Sequence, residues 1–302
     1  MSSIFVQMAS YHDYEINNTL NSLMSMASGE NIINVGVAVT YHEEKDYEII
    51  QQDNIKILEF YAPDNIGVGN ARHSAHSLYA GEDYYFQVDS HSIFDQDWDK
   101  KLIAYLKEYQ DMGIEKPALT GYPRNYWYDV DGNIQTDKNN EVYQISFHER
   151  QDDFRRSRIP SQTAESKIKN QIFANTVSGG CIFTVGEFIT PHTKSAFWGE
   201  EIITAARAFT RGYDLMLLPS AVMCHLYYNH EDPKSNKRRQ VWQDYPNEFA
   251  ELDKVSREEV VRILNGNIIG DQELGSERSL EEYSARCGLD FKTGKVWDVC
   301  VV

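Results

Sequence analysis

The sequence predicts an α/β fold in which helices flank a mixed, mainly parallel sheet. Short apolar runs alternate with amphipathic segments through the first half of the chain, which is typical of a parallel sheet covered by helices. Of the 302 residues, 41% are hydrophobic and 12% are aromatic, so the chain can bury a large core. This composition excludes a wholly disordered or fibrous protein.

The first half begins with a predicted strand over Ile4–Ala9. A helix follows, indicated by apolar residues that recur at spacings of three and four and so form one face: Ile16, Leu20, Leu23, Met24 and Ala27. Further strands are predicted over Asn34–Thr40, Ile55–Tyr61 and Tyr84–Val88, and a further helix over Ala71–Ala80. In folds of this kind, ligands bind at the carboxyl edge of the sheet.

The second half is less regular at its start. Between Tyr122 and Asn175, aromatic residues, charges and a turn sequence at Asp131 indicate long loops. Regular elements return as strands over Gly179–Val185, Leu215–Leu218 and Ala221–Tyr228 and a helix over Gly199–Arg211. Two capping boxes, which begin at Ser256 and Ser279, predict two short helices near the end of the chain.

The charge balance bears on the partners. The chain has 29 Lys and Arg residues against 46 Asp and Glu residues, which gives a net charge of −17. Because nucleic acids and anionic membranes attract proteins with positive potential, neither is favoured as a partner. No apolar run reaches the roughly 18 residues of a membrane span, so no membrane association is expected.

The cysteines and the first residues point to a cytoplasmic protein. Residues Met1–Ser10 contain neither Lys nor Arg and lack the apolar core of a signal peptide. The four cysteines are widely separated and form no C-x-x-C pair: Cys181, Cys224, Cys287 and Cys300. We expect them to be reduced thiols.

The most informative candidate site is Asp89-Ser90-His91, directly after an apolar strand. In an extended chain, residues two apart point the same way, so Asp89 and His91 can reach one cation. Oxygen and nitrogen ligands suit Mn²⁺ and tolerate Mg²⁺, and such an ion stabilises a departing diphosphate. The spacing alone leaves a solvated strand end open, because the same pattern recurs at Asp95, Asp97 and Asp129.

Arg72 lies at the start of a predicted helix, after a turn that contains Gly67 and Asn70. A guanidinium and free backbone N–H groups at this position are able to hold phosphate or uracil oxygens. A surface arginine on an amphipathic helix is the alternative. That alternative explains Arg72 but not the neighbouring glycine and asparagine.

Two further groups have both a functional and a structural interpretation. Glu200 and Glu201 follow Trp198-Gly199, where acidic residues also stabilise the first turn of a helix. Lys237 and Arg238 belong to a basic cluster that is either a solvated face or a loop that closes over a diphosphate.

Five segments in order carry a resemblance to a known family: Ile4–Glu15, Gly67–Gly81, Gln87–His91, Trp198–Tyr213 and Pro219–Tyr228. The chain resembles the GT-A glycosyltransferases. It is most similar to the GlcNAc-transferase family typified by cytoplasmic enzymes that modify hydroxyproline on a polypeptide, and more distantly to the polypeptide GalNAc-transferases. The resemblance implies a GT-A fold, a UDP-sugar donor, a divalent cation supplied as Mn²⁺ or Mg²⁺, and retention of anomeric configuration.

The resemblance also implies roles for individual residues. Asp89 and His91 match the D-x-H metal and diphosphate site, and His225 matches a late histidine that completes it. Arg72 matches an arginine that faces the nucleotide. The positions that match the uracil and ribose site are Ser10, Tyr11 and Asp13, although Asp13 also suits a helix N-cap.

The W-G-x-E region of these families faces the donor sugar and the acceptor. Trp198, Glu200 and Glu201 match it, with Glu201 the first choice for the acidic role. Because this chain has W-G-E-E where the GalNAc-transferases have W-G-G-E-N, the roles of the two carboxylates stay open.

The expected organisation is one GT-A domain over residues 1–255, with a nucleotide-binding half (1–120) and an acceptor and metal half (121–255). Residues 256–302 are expected to form a helical extension. The acceptor is a hydroxyl group, on a polypeptide Ser, Thr or hydroxyproline, a glycan, a small molecule or a hydroxylated nucleic-acid base. A non-catalytic module that binds a nucleotide-sugar is the alternative outside enzymes.

Overall fold

The computed structural model describes residues 1–137, 141–148, 161–166, 171–227, 238–266 and 270–297. Within them, the strands in chain order are β1 Ser3–Tyr11, β2 Ile32–Tyr41, β3 Ile55–Tyr61, β4 Tyr84–Asp89, β5 Ser92–Phe94, β6 Pro117–Thr120, β7 Arg124–Tyr128, β8 Ile134–Thr136, β9 Tyr143–His148, β10 Ser161–Ser166, β11 Cys181–Val185, β12 Asp214–Leu217 and β13 Met223–His225. The helices are α1 Ile16–Ser25, α2 Val68–His76, α3 Trp98–Asp111, α4 Glu200–Thr210, α5 Val241–Asp244, α6 Pro246–Leu264 and α7 Leu280–Cys287.

The main sheet confirms the predicted fold class. Its seven strands have the order β12-β6-β11-β4-β1-β2-β3. Strands β3, β2, β1 and β4 pair in parallel, and β11 runs antiparallel to both β4 and β6. The central strands are apolar on both faces, as a sheet covered on both sides requires, and Ile4, Val6 and Phe86 are fully buried. The carboxyl ends of β1 and β4 therefore meet at one edge of the sheet.

A smaller sheet lies beyond that edge, with the order β5-β13-β7-β8. It accounts for part of the region between Tyr122 and Asn175, where the sequence predicts only loops. The apolar run Ala221–Tyr228 was expected to form a last core strand, but it contributes only the short β13 to this smaller sheet. Strand β13 pairs antiparallel with β5, so that His225 lies opposite Ser92.

The helix predicted to begin at Ser256 instead begins at Pro246 and runs to Leu264, across the expected boundary at residue 255. The capping box at Ser256 is wrong, because this side chain is buried in mid-helix, where its Oγ accepts a hydrogen bond from the Ala196 N–H at 3.2 Å. The capping box at Ser279 is confirmed, and it starts the short helix α7.

Three of the cysteines, Cys181, Cys224 and Cys287, are free and buried, as expected of reduced thiols, and Cys300 lies outside the described residues. Among the helices in the described part of the chain, none has the length and apolarity needed to cross a bilayer.

Candidate active site

A cavity of about 1060 Å³ opens at the carboxyl edge of the main sheet. Its lining includes most of the residues that the sequence singles out: Ser10, Tyr11, Asp13, Gly67, Arg72, Asp89, His91, Trp198, Glu200, Glu201, His225 and Arg238. Asn70 does not line it, because its side-chain amide turns back to the Ile66 carbonyl at 3.3 Å. Lys237 lies outside the described residues.

Three side chains converge at one end of the cavity. Asp89 ends β4, His91 follows two residues later, and the pairing of β13 with β5 carries His225 to the same place. One ligand atom from each of the three lies within 4.8 Å of the other two. The Nε2 of His225 is 3.2 Å from Oδ2 of Asp89. This cluster combines one oxygen and two nitrogen ligands, a set that suits a divalent transition metal.

Asp13 fixes the orientation of His91. The His91 Nδ1 is 2.7 Å from Oδ2 of Asp13, and since a carboxylate only accepts, Nδ1 carries the hydrogen. Burial opposes the charge on Asp13, but the neighbouring His91 and Arg238 outweigh it and lower the pKa of Asp13 to about 2. Such a carboxylate behind a histidine is the usual support of a metal ligand. Asp13 is not an N-cap, because that position belongs to Glu15.

The surroundings of the cluster also fit a cation. Gly180 faces Asp89 so closely that an added Cβ would lie 2.6 Å from Oδ2 of that carboxylate. The buried Nδ1 of His225 has no hydrogen-bond partner among the described residues. Burial and the nearby His91 lower the pKa of His225 to about 4, so its imidazole is neutral at pH 7 and able to act as a ligand.

Arg72 bridges two carboxylates at the floor of the cavity. Its Nη2 donates to Oδ1 of Asp89 at 2.9 Å, and its Nε lies 3.1 Å from Oε1 of Glu200. The side chain is only 4% exposed. The sequence suggests a guanidinium directed at phosphate or uracil. In the structure, its Nη2 and Nε face carboxylates and its Nη1 donates to Oε1 of Gln7 at 3.4 Å. It holds Asp89 and Glu200 in place by charge-assisted contacts.

The two glutamates begin α4, where Gly199 has a left-handed φ of +86° that disfavours any residue with a Cβ. Glu201 Oε1 accepts from the N–H of Gly179 at 2.8 Å. Burial and the charge of Glu200 raise the pKa of Glu201 to about 8. Burial also raises the pKa of Glu200, although Arg72 opposes the shift.

Tyr11 and Trp198 both line the cavity wall. Tyr11 ends β1, and its hydroxyl donates to Oδ2 of Asp244 at 2.9 Å. Trp198 is 53% exposed and stacks edge-on against Phe197, with ring centroids 5.1 Å apart. The Oγ of Ser10 is buried without a partner among the described residues.

Several residues of the site have no obvious sequence signal. Gly179 and Gly180 approach Glu200 and Asp89 too closely for a side chain, and only the adjacent pair of glycines before a strand hints at this. Asp244 lies in a polar segment far along the chain. Its contact with Tyr11 depends on tertiary structure that local pattern does not reveal.

Comparison with known families gives one match, to a model described as Glycosyltransferase (GlcNAc), over residues 3–47 and 38–293. Comparison with curated proteins gives no significant match.

The fold of this chain resembles that of a solved structure. A crystal structure of GalNAc-T7 with UDP, GalNAc and Mn²⁺ is similar with a TM-score of 0.54 and 12% identity, over 97% of this chain and 55% of that one. S. aureus TarS 1–349 has a TM-score of 0.48 and 12% identity, over 95% of this chain and 70% of that one. The chain therefore spans about half the length of GalNAc-T7, and the likeness shows a GT-A fold alone.

Proposed function

Because this chain belongs to the Glycosyltransferase (GlcNAc) family, we propose that it is a metal-dependent, retaining enzyme that moves GlcNAc from UDP to a hydroxyl acceptor. The observation that carries the proposal is the convergence of Asp89, His91 and His225 at the carboxyl edge of the sheet, inside a large cavity. The cavity volume, about 1060 Å³, lies at the upper end of ligand pockets, which hold about 300–1,000 Å³.

The metal end of the cavity is proposed to hold the diphosphate. Asp89, His91 and His225 would hold Mn²⁺ or Mg²⁺, which would supply a Lewis acid to stabilise the negative charge on the UDP leaving group. Arg238 lies beside this cluster, with its Nη2 2.8 Å from Nε2 of His91, and offers a second positive charge to the phosphates. Lys237 is proposed to assist it, although it lies outside the described residues.

The other parts of the cavity are proposed to bind the remaining pieces of the substrates. Ser10 and Tyr11 suit the nucleoside, because an unpaired hydroxyl and an aromatic ring line the end of β1. Glu200 and Glu201 face the donor sugar and the acceptor. A Glu201 with a pKa of about 8 is protonated at pH 7 and donates a hydrogen bond to a sugar or acceptor oxygen.

The GlcNAc donor is supported by the description of the family, and the UDP and Mn²⁺ by the ligands of GalNAc-T7. Retention follows from the family resemblance, in which the acceptor attacks on the face that UDP leaves. The proposed acceptor is a polypeptide hydroxyl, of Ser, Thr or hydroxyproline. The free buried cysteines support a reducing, cytoplasmic location for the reaction.

The test is release of UDP from a panel of UDP-sugars, with Mn²⁺ or with EDTA, by the intact protein and by Asp89→Ala and His225→Ala. Slow hydrolysis is expected for UDP-GlcNAc alone, dependent on metal. Each substitution should slow it about 100-fold or more, because it removes a group that stabilises the leaving charge.

Asp131→Ala is the matched control, because it removes an exposed carboxylate from the look-alike pair at Asp129. It should leave the rate unchanged. If the intact protein neither hydrolyses any donor nor binds UDP with Mn²⁺, the proposal is wrong.

A further inference from the structure

A carboxylate outside the proposed metal cluster contacts the wall of the cavity where the nucleoside is proposed to bind. Asp244 ends α5, and its Oδ2 accepts from the hydroxyl of Tyr11 at 2.9 Å. Arg239 donates to the same carboxylate from Nε at 2.9 Å and from Nη2 at 3.1 Å. The Asp244 side chain is only 16% exposed. Its two oxygens are therefore fixed by charged and phenolic donors.

The Tyr11 side chain is held by apolar packing as well as by this hydrogen bond. The Tyr11 ring packs against a small apolar cluster formed by Ile66, Ala196, Val241 and Phe249. Burial and the hydrogen bond to Asp244 raise the pKa of Tyr11 far above its usual value, so the phenol keeps its hydrogen. A half-buried tyrosine of this kind needs a partner for its hydroxyl, and that partner fixes the direction of the ring.

A second contact ties the same segment to the neighbouring strand. The hydroxyl of Tyr245 donates to the carbonyl of His42 at 2.6 Å, directly after β2. The ring centroids of His42 and Tyr245 lie 5.2 Å apart. Residues 244–245 are thus attached to the carboxyl ends of both β1 and β2. This edge of the sheet is where a nucleoside binds in open α/β folds.

We propose that Asp244 is a positioning residue for the nucleotide: it orients Tyr11, and Tyr11 contacts the nucleoside of the donor. The proposal rests on the proposed function, since it needs a nucleotide in this cavity. Asp244 acts through the Tyr11 hydroxyl and not by touching the nucleotide itself. Its loss should therefore weaken nucleotide binding and leave the chemical step little changed.

The experiment is a double-mutant cycle, with the Kd of UDP measured by calorimetry in the presence of Mn²⁺. Asp244→Ala and Tyr11→Phe should each weaken UDP about tenfold, because each removes a hydrogen bond to a charged group. The double variant should be no weaker than either single one. In kinetics, Asp244→Ala should raise the KM of the donor with kcat within about twofold of the intact protein.

Two further variants separate positioning from a loss of stability. Asp244→Asn keeps an oxygen that accepts from Tyr11, so it should retain most of the affinity. Asp214→Asn removes a carboxylate that holds Arg278 at the far edge of the main sheet, and it should leave the Kd unchanged. Tyr11→Phe keeps the ring, so it tests the contact even if Asp244→Ala does not fold.

The outcomes are distinct. If the intact protein binds UDP but the two single effects add in the double variant, or neither variant changes the Kd, the positioning role is wrong and the proposed function stands. If the intact protein binds no UDP at all, both proposals are wrong.

Discussion

Two carboxylates at the floor of the cavity have opposite electrostatic surroundings. Asp89 faces Arg72 and His225, which outweigh its burial and hold the pKa of that carboxyl well below its usual range. Glu201 receives one backbone N–H and lies beside Glu200, and its pKa is raised to about 8. Enclosure by protein disfavours both charges, so the neighbours decide the difference. Asp89 therefore offers an anion for a cation, and Glu201 offers a neutral acid.

The largest expected effect comes from removing Arg72, which contacts both Asp89 and Glu200. Arg72→Gln leaves Asp89 and Glu200 enclosed without the cation between them. Breaking a buried ion pair from one side costs about 3–5 kcal/mol. The free energy of unfolding, measured by urea denaturation at pH 7, should fall by about that amount.

Arg257→Gln is the control for Arg72→Gln. Arg257 also pairs with a carboxylate, Asp253 at 2.7 Å, but it is 34% exposed on the surface of α6. Its loss should cost less than about 1 kcal/mol. Equal losses for the two variants would mean that Arg72 does not hold the floor of the cavity.

The second prediction concerns Glu201, whose carboxyl is neutral at pH 7. Glu201→Gln removes the group with the raised pKa. Between pH 4.5 and about 8, unfolded Glu201 has lost a proton that the folded protein keeps, so the stability of the intact protein falls as the pH rises. Glu201→Gln has no ionisable group at this position, so it does not lose stability in this way. Its stability relative to the intact protein should rise by a few kcal/mol over that range and then level off, since one pKa unit corresponds to about 1.4 kcal/mol.

Denaturation at a series of pH values from 5 to 9 measures this difference. Glu281→Gln, in the exposed first turn of α7, is the control and should differ from the intact protein by the same amount at every pH in that range. A flat difference for Glu201→Gln as well would show that Glu201 is ionised in the folded protein.

The central strands of the main sheet were predictable because they are buried on both faces and read as apolar runs. The edge strand β3 is partly exposed and was predicted as well, whereas β6 was not predicted. The strand Ile55–Tyr61 has the predicted bounds, and β4 extends the predicted strand by one residue, to Asp89. The smaller sheet was not predictable, because β5 and β13 have three residues each and pair across more than a hundred positions of the chain. Local periodicity carries no information about such a contact.

The residues of the candidate site also differ in whether local sequence pattern predicts their contacts. The sequence predicts that Asp89 and His91 lie close together, although a bend after β4 joins them and not a continued strand. His225 was found only through the family resemblance and reaches them through the smaller sheet. The sequence did not indicate that Arg72 contacts two carboxylates from other parts of the chain. The capping pattern at Ser256 was misleading because the sequence pattern of a capping box does not distinguish an N-cap serine from a buried serine. Here the buried serine accepts a hydrogen bond from a neighbouring loop.

The smallest expected effect tests how that loop is held. Ser256→Ala removes the acceptor for the N–H of Ala196, which lies just before Trp198 and the two glutamates. An unpaired buried N–H costs about 1 kcal/mol after the better helix propensity of alanine is included. Ser279→Ala should cost a similar amount, because it removes the cap of α7. Only Ser256→Ala should also raise the KM of the donor, by roughly threefold. If both variants lower stability and neither changes the KM, α6 supports the fold without setting the position of Glu201.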